Sequence, residues 1–285
     1  MIKFLKTLFC IALCFLFTTE AFALVEMKND KNTLSKELKA TSFIDYPPFG
    51  YIRDPHNRTT FTTIFQEFLD DYVKENYFTP EYVVNKNYET LIRDVRRGEI
   101  DILLGMYFET KIYNGLEIIY PSVINNPMTV IMLPSRINEI KSTADLKKLK
   151  GGFNKSEHIS DYAKNQMSLY QITEFTNSND MFEKLFTGEI DFVFSSYYFG
   201  IFETSRLGIR NQVSFSKQTL WDMPLFIGVS KTSRYRKLLV KTLTRMSENP
   251  ETKKKMNAYL IKTINEIENA NRGVVPPAYT KQPQK

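Results

Sequence analysis

The chain has 285 residues, 42% of them apolar and 25% charged, with a formal net charge of +6. That length suits one large or two modest globular domains, and the composition is that of ordinary soluble protein. Lys and Arg are scattered among acids in short clusters such as Lys253-Lys254-Lys255, which reads as a solvated helix face and gives no case for nucleic acid.

Lys3 and Lys6 begin the chain, an uncharged and mostly apolar stretch runs from Leu8 to Phe17, and Ala21-Phe22-Ala23 follows. This is the pattern of a secretory signal peptide over residues 1–23, cleaved after Ala23. The apolar run is shorter than the ~20 residues a membrane-spanning helix needs. Cys10 and Cys14 both lie inside it, so the mature chain, at about +5, is expected to hold no thiol, disulfide or cysteine metal site. Export without disulfides suits a bacterial periplasm. His56 and His158 are the two histidines, and neither has a partner at metal-ligand or triad spacing, so no metal, cofactor or catalytic residue is expected.

Leu38 to Ile44 reads as a first strand running into Asp45-Tyr46-Pro47-Pro48-Phe49-Gly50-Tyr51. Two prolines exclude helix and central strand there and predict a rigid turn presenting Tyr46 and Phe49. Phe61 to Asn76 carries Phe61, Ile64, Phe65, Phe68, Leu69, Tyr72 and Val73 at helical spacing, an apolar helix face. Tyr82-Val83-Val84 reads as a strand, and Tyr88, Leu91, Ile92 and Val95 as a helix stopped by Gly98. Gly98-Glu99-Ile100-Asp101 then opens the apolar run Ile102-Leu103-Leu104. The same tetrapeptide returns 90 residues later as Gly188-Glu189-Ile190-Asp191, after a helix over Asp180 to Gly188 and before Phe192-Val193-Phe194. A glycine stop after a helix takes the left-handed conformation, and the run that follows reads as a buried strand. Two such units this far apart predict two similar α/β lobes.

Between the repeats, Leu116 to Pro121 and Met128 to Leu133 are β-rich, Lys141 to Leu149 is a short helical stretch, and Gly151-Gly152-Phe153 starts a new unit. After the second repeat, Tyr197 and Tyr198 read as a loop at a strand end, and Leu225 to Val229 is a strand. Two amphipathic helices follow. One carries Tyr235, Leu238, Leu239, Thr242, Leu243 and Met246, and the other runs from Pro250 through Met256, Leu260, Ile264 and Ile267. Arg272 onward reads as an untethered tail.

These features, in order, resemble the periplasmic solute-binding proteins of ABC importers, of the polar-amino-acid type (family 3). The resemblance covers Leu38 to Ile267. It rests on the exported signal, the Asp45-Tyr46-Pro47-Pro48-Phe49 turn, the two Gly-x-x-Asp strand openings, and Met223-Pro224-Leu225-Phe226-Ile227-Gly228-Val229 before a helix pair. It implies an α/β fold of two lobes, the type II periplasmic-binding-protein architecture with two hinge crossings. Lobe 1 would take residues 24–126 and 223–270, lobe 2 residues 127–222, and 271–285 would be a flexible tail. It implies a monomer that captures a small molecule and delivers it to an ABC permease in the inner membrane.

The family's amino-acid binders pair the ligand's α-carboxylate with an arginine about twelve residues after the first Gly-x-x-Asp aspartate. Here that slot holds Tyr113, or Ile112 with one gap. The α-ammonium usually meets an aspartate five residues after the second aspartate, where this chain has Ser196. A Gly-Thr pair is replaced near Ser156-Glu157. Tyr46 keeps the slot of the ring that covers the ligand, and Thr110 keeps a hydroxyl slot. The expected ligand is therefore not a standard α-amino acid. The expected ligand-binding residues are Tyr46, Phe49, Tyr107, Thr110, Tyr113, Ser196, Tyr197 and Trp221. Tyr107, Phe108, Tyr113, Tyr197, Tyr198 and Trp221 read as loop residues near strand ends that could stack a ring, a sugar face or an organic cation. Two other readings stand beside this one: a non-transport sensor or accessory protein, and a dehydratase-like enzyme using Glu109, Glu157 or His158 as acid or base.

Overall fold

The computed structural model describes residues 36–43, 45–52, 61, 62, 64–66, 69, 70, 73, 78–84, 88–108 and 114–275. The signal peptide lies outside the described residues. Strands β1 (Lys36–Ser42), β2 (Asp45–Tyr46), β3 (Gly50–Ile52), β4 (Phe61–Thr62), β5 (Phe78–Tyr82), β6 (Ile102–Met106) and β7 (Leu116–Asn125) form the first half. β8 (Met128–Met132), β9 (Lys150–Asn154), β10 (Gln171–Phe175), β11 (Phe192–Ser196), β12 (Ser214–Phe215) and β13 (Pro224–Ser230) follow. Helices are α1 (Tyr88–Arg97), α2 (Asp161–Met167), α3 (Ser178–Thr187), α4 (Tyr197–Arg206), α5 (Arg236–Glu248) and α6 (Pro250–Ala270).

Two five-stranded sheets carry the fold, with orders β5-β1-β6-β13-β7 and β10-β9-β11-β8-β12. In each, three parallel strands are followed by an antiparallel fourth: β13 beside β6, and β8 beside β11. The chain passes from the first sheet to the second between Asn125 and Met128 and returns between Phe215 and Pro224. Met128 pairs with Trp221 where the two passages run side by side.

The tetrapeptide repeat is a structural repeat. Gly98 and Gly188 both have positive φ, +74° and +80°, which glycine adopts without steric cost. Each closes its helix in the same way. Glu99 and Ile100 N–H donate to Asp94 O, and Glu189 and Ile190 N–H donate to Lys184 O. The aspartates then tie the new strand to its neighbour. Asp101 N–H donates to Lys39 O at 2.9 Å while its Oδ2 accepts Lys39 N–H at 3.0 Å. Asp191 does the same with Lys150, at 2.7 and 2.8 Å.

Central strands β6, β8 and β11 are buried along their whole length, as mostly apolar runs covered on both faces should be. β5 lies at a sheet edge, where Pro80 is tolerated because no outer neighbour needs its missing N–H. That strand ends at Tyr82 and not at Val84. The helix read from Phe61 begins later: Phe61 and Thr62 pair with Ile52 and Tyr51, and Gln66, Leu69, Asp70 and Val73 are helical. Lys141 to Leu149 forms a short 3-10 turn at Asp145–Lys148 rather than a capped helix. Tyr197 and Tyr198 open α4 instead of lying in a loop. Gly200 lets α4 sit close to the sheet, since a Cβ there would meet Ile131 Cδ1 at 2.9 Å and Phe215 Cε1 at 3.0 Å.

α6 buries Met256, Leu260, Ile264 and Ile267. It packs on β7 and α5 of the first unit and also on α4 of the second. Arg210 reaches Glu268 at 3.2 Å, and Gly208 lies directly under the Val274 carbonyl. Of the expected tail, Val274 therefore lies against the second unit, while Val275 is exposed.

Candidate functional site

The carboxyl ends of parallel strands from both sheets meet in one place, where open α/β sheets bind ligands. From the first sheet come the β2–β3 hairpin after β1 and Tyr107 after β6. From the second come Glu157 and His158 after β9, and Ser195 and Ser196 ending β11. Asn126 sits in the first crossing between them. Tyr46, Phe49, Tyr107, Asn126 and Ser196 are each at most 1% exposed, and Glu157 is 4% exposed.

Their polar atoms form one network. The Tyr46 and Tyr107 hydroxyls share a short hydrogen bond. Asn126 Nδ2 donates to the Tyr46 hydroxyl at 2.5 Å and to the Tyr107 hydroxyl at 3.2 Å, while Tyr198 N–H donates to Asn126 Oδ1 at 3.3 Å. The Tyr46 hydroxyl lies 3.4 Å from Ser196 Oγ. Ser196 N–H donates to Glu157 Oε1 at 2.7 Å and Ser195 Oγ donates to Oε2 at 2.9 Å. Rings enclose the network: Tyr46 stacks on Phe199 at 6.2 Å, and His158 packs on Phe43 at 4.4 Å and on Tyr107 at 5.4 Å.

Burial dominates the electrostatics. It pushes Glu157 up to about 8, aided by the charge of Glu203 and opposed by the serine donors. It holds His158 down at about 4, with Lys164 adding to the effect. It raises both tyrosine hydroxyls, Tyr107 further through Tyr46. A desolvated acid avoids its charged form and so does a desolvated imidazole.

Of the residues expected from sequence, Tyr46, Phe49, Tyr107 and Ser196 come together here. Tyr197 points its ring to Phe215 and Tyr198, and it is Tyr198 that meets Phe49, at 6.0 Å. Trp221 packs with Phe194 and Tyr170 beside the return crossing, and Phe108 is exposed. Thr110 and Tyr113 lie outside the described residues. Asn126, Glu157 and Phe199 complete the cluster. Glu157 had a sequence signal as a candidate acid and Asn126 as a crossing residue, whereas Phe199 had none. Among the described residues no group of three His, Cys, Asp or Glu could hold a metal ion, and no helix is long and apolar enough to cross a membrane.

No protein-family model matches the sequence, and no curated protein is similar to it in sequence. Solved structures are similar in fold. A structure described as a binding component of an ABC transporter from Wolinella succinogenes, complexed with lysine, superposes with a TM-score of 0.62 at 14% identity, covering 80% of this chain and 96% of that one. The second substrate-binding domain of an amino acid ABC transporter from Streptococcus pneumoniae gives 0.61 at 19% identity, covering 80% and 99%. The chain has the two-lobed α/β fold of these substrate-binding proteins. A reconstructed ancestral cationic amino acid solute-binding protein gives 0.58 at 16% identity over 79% and 95%, and that ancestor is also described as a precursor of cyclohexadienyl dehydratase. The network described above joins the strand ends of the first sheet to those of the second.

Proposed function

We propose that this protein is a periplasmic substrate-binding protein that captures a small molecule between its lobes and passes it to an ABC permease. Lobe 1 is formed by residues 24–126 and 223–270, lobe 2 by residues 127–222, and the ligand is not a standard α-amino acid. The observation that carries this reading is the buried polar cluster of Tyr46, Tyr107, Asn126, Glu157 and Ser196 at facing strand ends. These groups are held in place by one another, so donors and acceptors stand preformed where the ends of the two sheets face each other. The fold supports the same reading, since the similar structures are named as transporter binding components and several hold lysine or arginine. Tyr113, or Ile112 with one gap, stands in the slot of the family's arginine and offers no charge for an α-carboxylate, and so an amino acid would lose a charge-assisted bond.

The test is a thermal-shift screen of the mature protein against amino acids, sugars, polyamines, aromatic acids and quaternary amines. A ligand at a hundred times its dissociation constant stabilises the fold by ~2.7 kcal/mol, a shift of roughly 5–10 °C at this size. A shift of that size with an ordinary amino acid overturns the ligand reading and leaves the fold reading intact. The sensor or accessory reading draws on one observation, that the Tyr46 hydroxyl of one lobe lies 3.4 Å from Ser196 Oγ of the other. No shift with any compound favours it.

A further inference from the structure

We infer that Glu157 is the counter-ion for the ligand, and that the cleft takes an organic ammonium cation carrying no α-carboxylate. The inference rests on the binding-protein reading above and names its ligand class.

Glu157 is fixed and has no cationic partner among the described residues. Both carboxylate oxygens accept a hydrogen bond, from the Ser196 backbone and the Ser195 hydroxyl, so the group is held in one orientation. Yet among the described residues no Lys or Arg forms an ion pair with it. A carboxyl 4% exposed takes its charged form only beside a cationic partner, because two hydrogen bonds do not offset the desolvation of a carboxylate. The other groups of the cleft suit a cation as well. The Tyr46 and Tyr107 hydroxyls and Ser196 Oγ offer lone pairs, and the rings of Tyr46, Tyr107 and Phe199 offer the negative faces that attract ammonium groups. The described cleft residues include no Lys or Arg that would hold a carboxylate or phosphate. An anionic ligand would find no cationic partner there, and its charge would oppose ionisation of Glu157.

The charge state gives the proposal its own readout. The titratable groups facing Glu157 are Tyr46, reached through Ser196, Tyr107 bonded to Tyr46, and Glu203, itself paired to Arg206 at 2.7 Å. His158 is its chain neighbour and packs on both tyrosine rings. In this setting burial leaves the Glu157 carboxyl largely protonated at neutral pH. An ammonium ion brought against it favours the carboxylate, so the carboxyl proton leaves to solvent as the cation binds.

The experiment is isothermal titration calorimetry of the mature protein at pH 7 in two buffers of different ionisation enthalpy. The probes are putrescine, choline and phenethylamine, with glucose as the neutral control and benzoate as the anionic one. At least one cation is expected to bind and to release close to one proton. Glu157→Gln is expected to weaken it roughly 10- to 100-fold and abolish proton release, while Glu157→Asp retains both in part. The unliganded melting point of Glu157→Gln reports whether the variant is folded. Binding of glucose or benzoate with no cation bound overturns the inference and leaves the binding-protein reading standing. A cation that binds Glu157→Gln as tightly as wild type, or binds without releasing a proton, overturns it too. Silence from every probe and from the wider thermal-shift screen overturns both readings.

Discussion

Glu157 accepts the backbone N–H of Ser196, 39 residues further on, at 2.7 Å, and so a buried acid closes the end of the strand that faces the other lobe. The same acid is held up at about 8 by burial, and His158 beside it is held down at about 4.

These two shifts set the pH dependence of stability. Glu157 has a folded pKa above its unfolded 4.5, so the folded state binds the extra proton and stability falls as pH rises from 4.5 to 8. His158 has a folded pKa below its unfolded 6.5, so its contribution is lost as pH falls from 6.5 to 4. Between 4.5 and 6.5 the two slopes oppose, and above 6.5 the Glu157 slope stands alone. From pH 6.5 to 8 a loss of about 2 kcal/mol is expected for the unliganded protein. Thermal melts of wild type and Glu157→Gln across pH 5–8 check this. An equal decline in the variant would assign it elsewhere.

Asn126 joins both tyrosine hydroxyls of one lobe to the backbone of Tyr198 in the other. Asn126→Ala removes all three bonds from a fully buried site and should cost ~2–4 kcal/mol. Asn125→Ala, at the exposed neighbour that bonds Asp222 and the Met223 N–H, should cost about 1 kcal/mol or less. Urea denaturation gives both values. Equal losses would mean the crossing tolerates Asn126 as an ordinary surface residue.

Asp101 and Asp191 occupy equivalent places in the two sheets, but their surroundings differ. Asp101 is 8% exposed and also accepts from the Ser233 hydroxyl, while the side chain of Asp191 is 24% exposed and pairs with Arg136 at 2.6 Å. Both Ala variants orphan the N–H of a neighbouring strand. We expect ~2–3 kcal/mol for Asp101→Ala and ~1–2 kcal/mol for Asp191→Ala, the difference following burial. A chemical denaturation series that ranks them the other way would contradict this account of the repeat.

Export is tested by intact mass. Secreted material should begin at Leu24, without residues 1–23 and without a lipid adduct. A retained N-terminal segment would place the chain on a membrane anchor instead.

What the sequence determined by itself is what local physics controls. The glycine stops at 98 and 188 follow from the left-handed turn. The buried runs of β6, β8 and β11 follow from their largely apolar sequences, and the faces of α5 and α6 from their period. Together these made a two-lobed α/β fold legible. Tertiary structure decided the rest. β10 has the polar sequence Gln171-Ile172-Thr173-Glu174-Phe175, which only a place at a sheet edge makes a strand. α4 begins with Tyr-Tyr-Phe-Gly, a poor helix start that becomes one because Gly200 fits against Ile131 and Phe215. Trp221 reads as a cleft ring but fills the space between Phe194 and Tyr170. Tyr46 and Ser196 stand 150 residues apart, and no local pattern announces that they meet. Their contact exists because two independent sheets point the ends of their strands at each other.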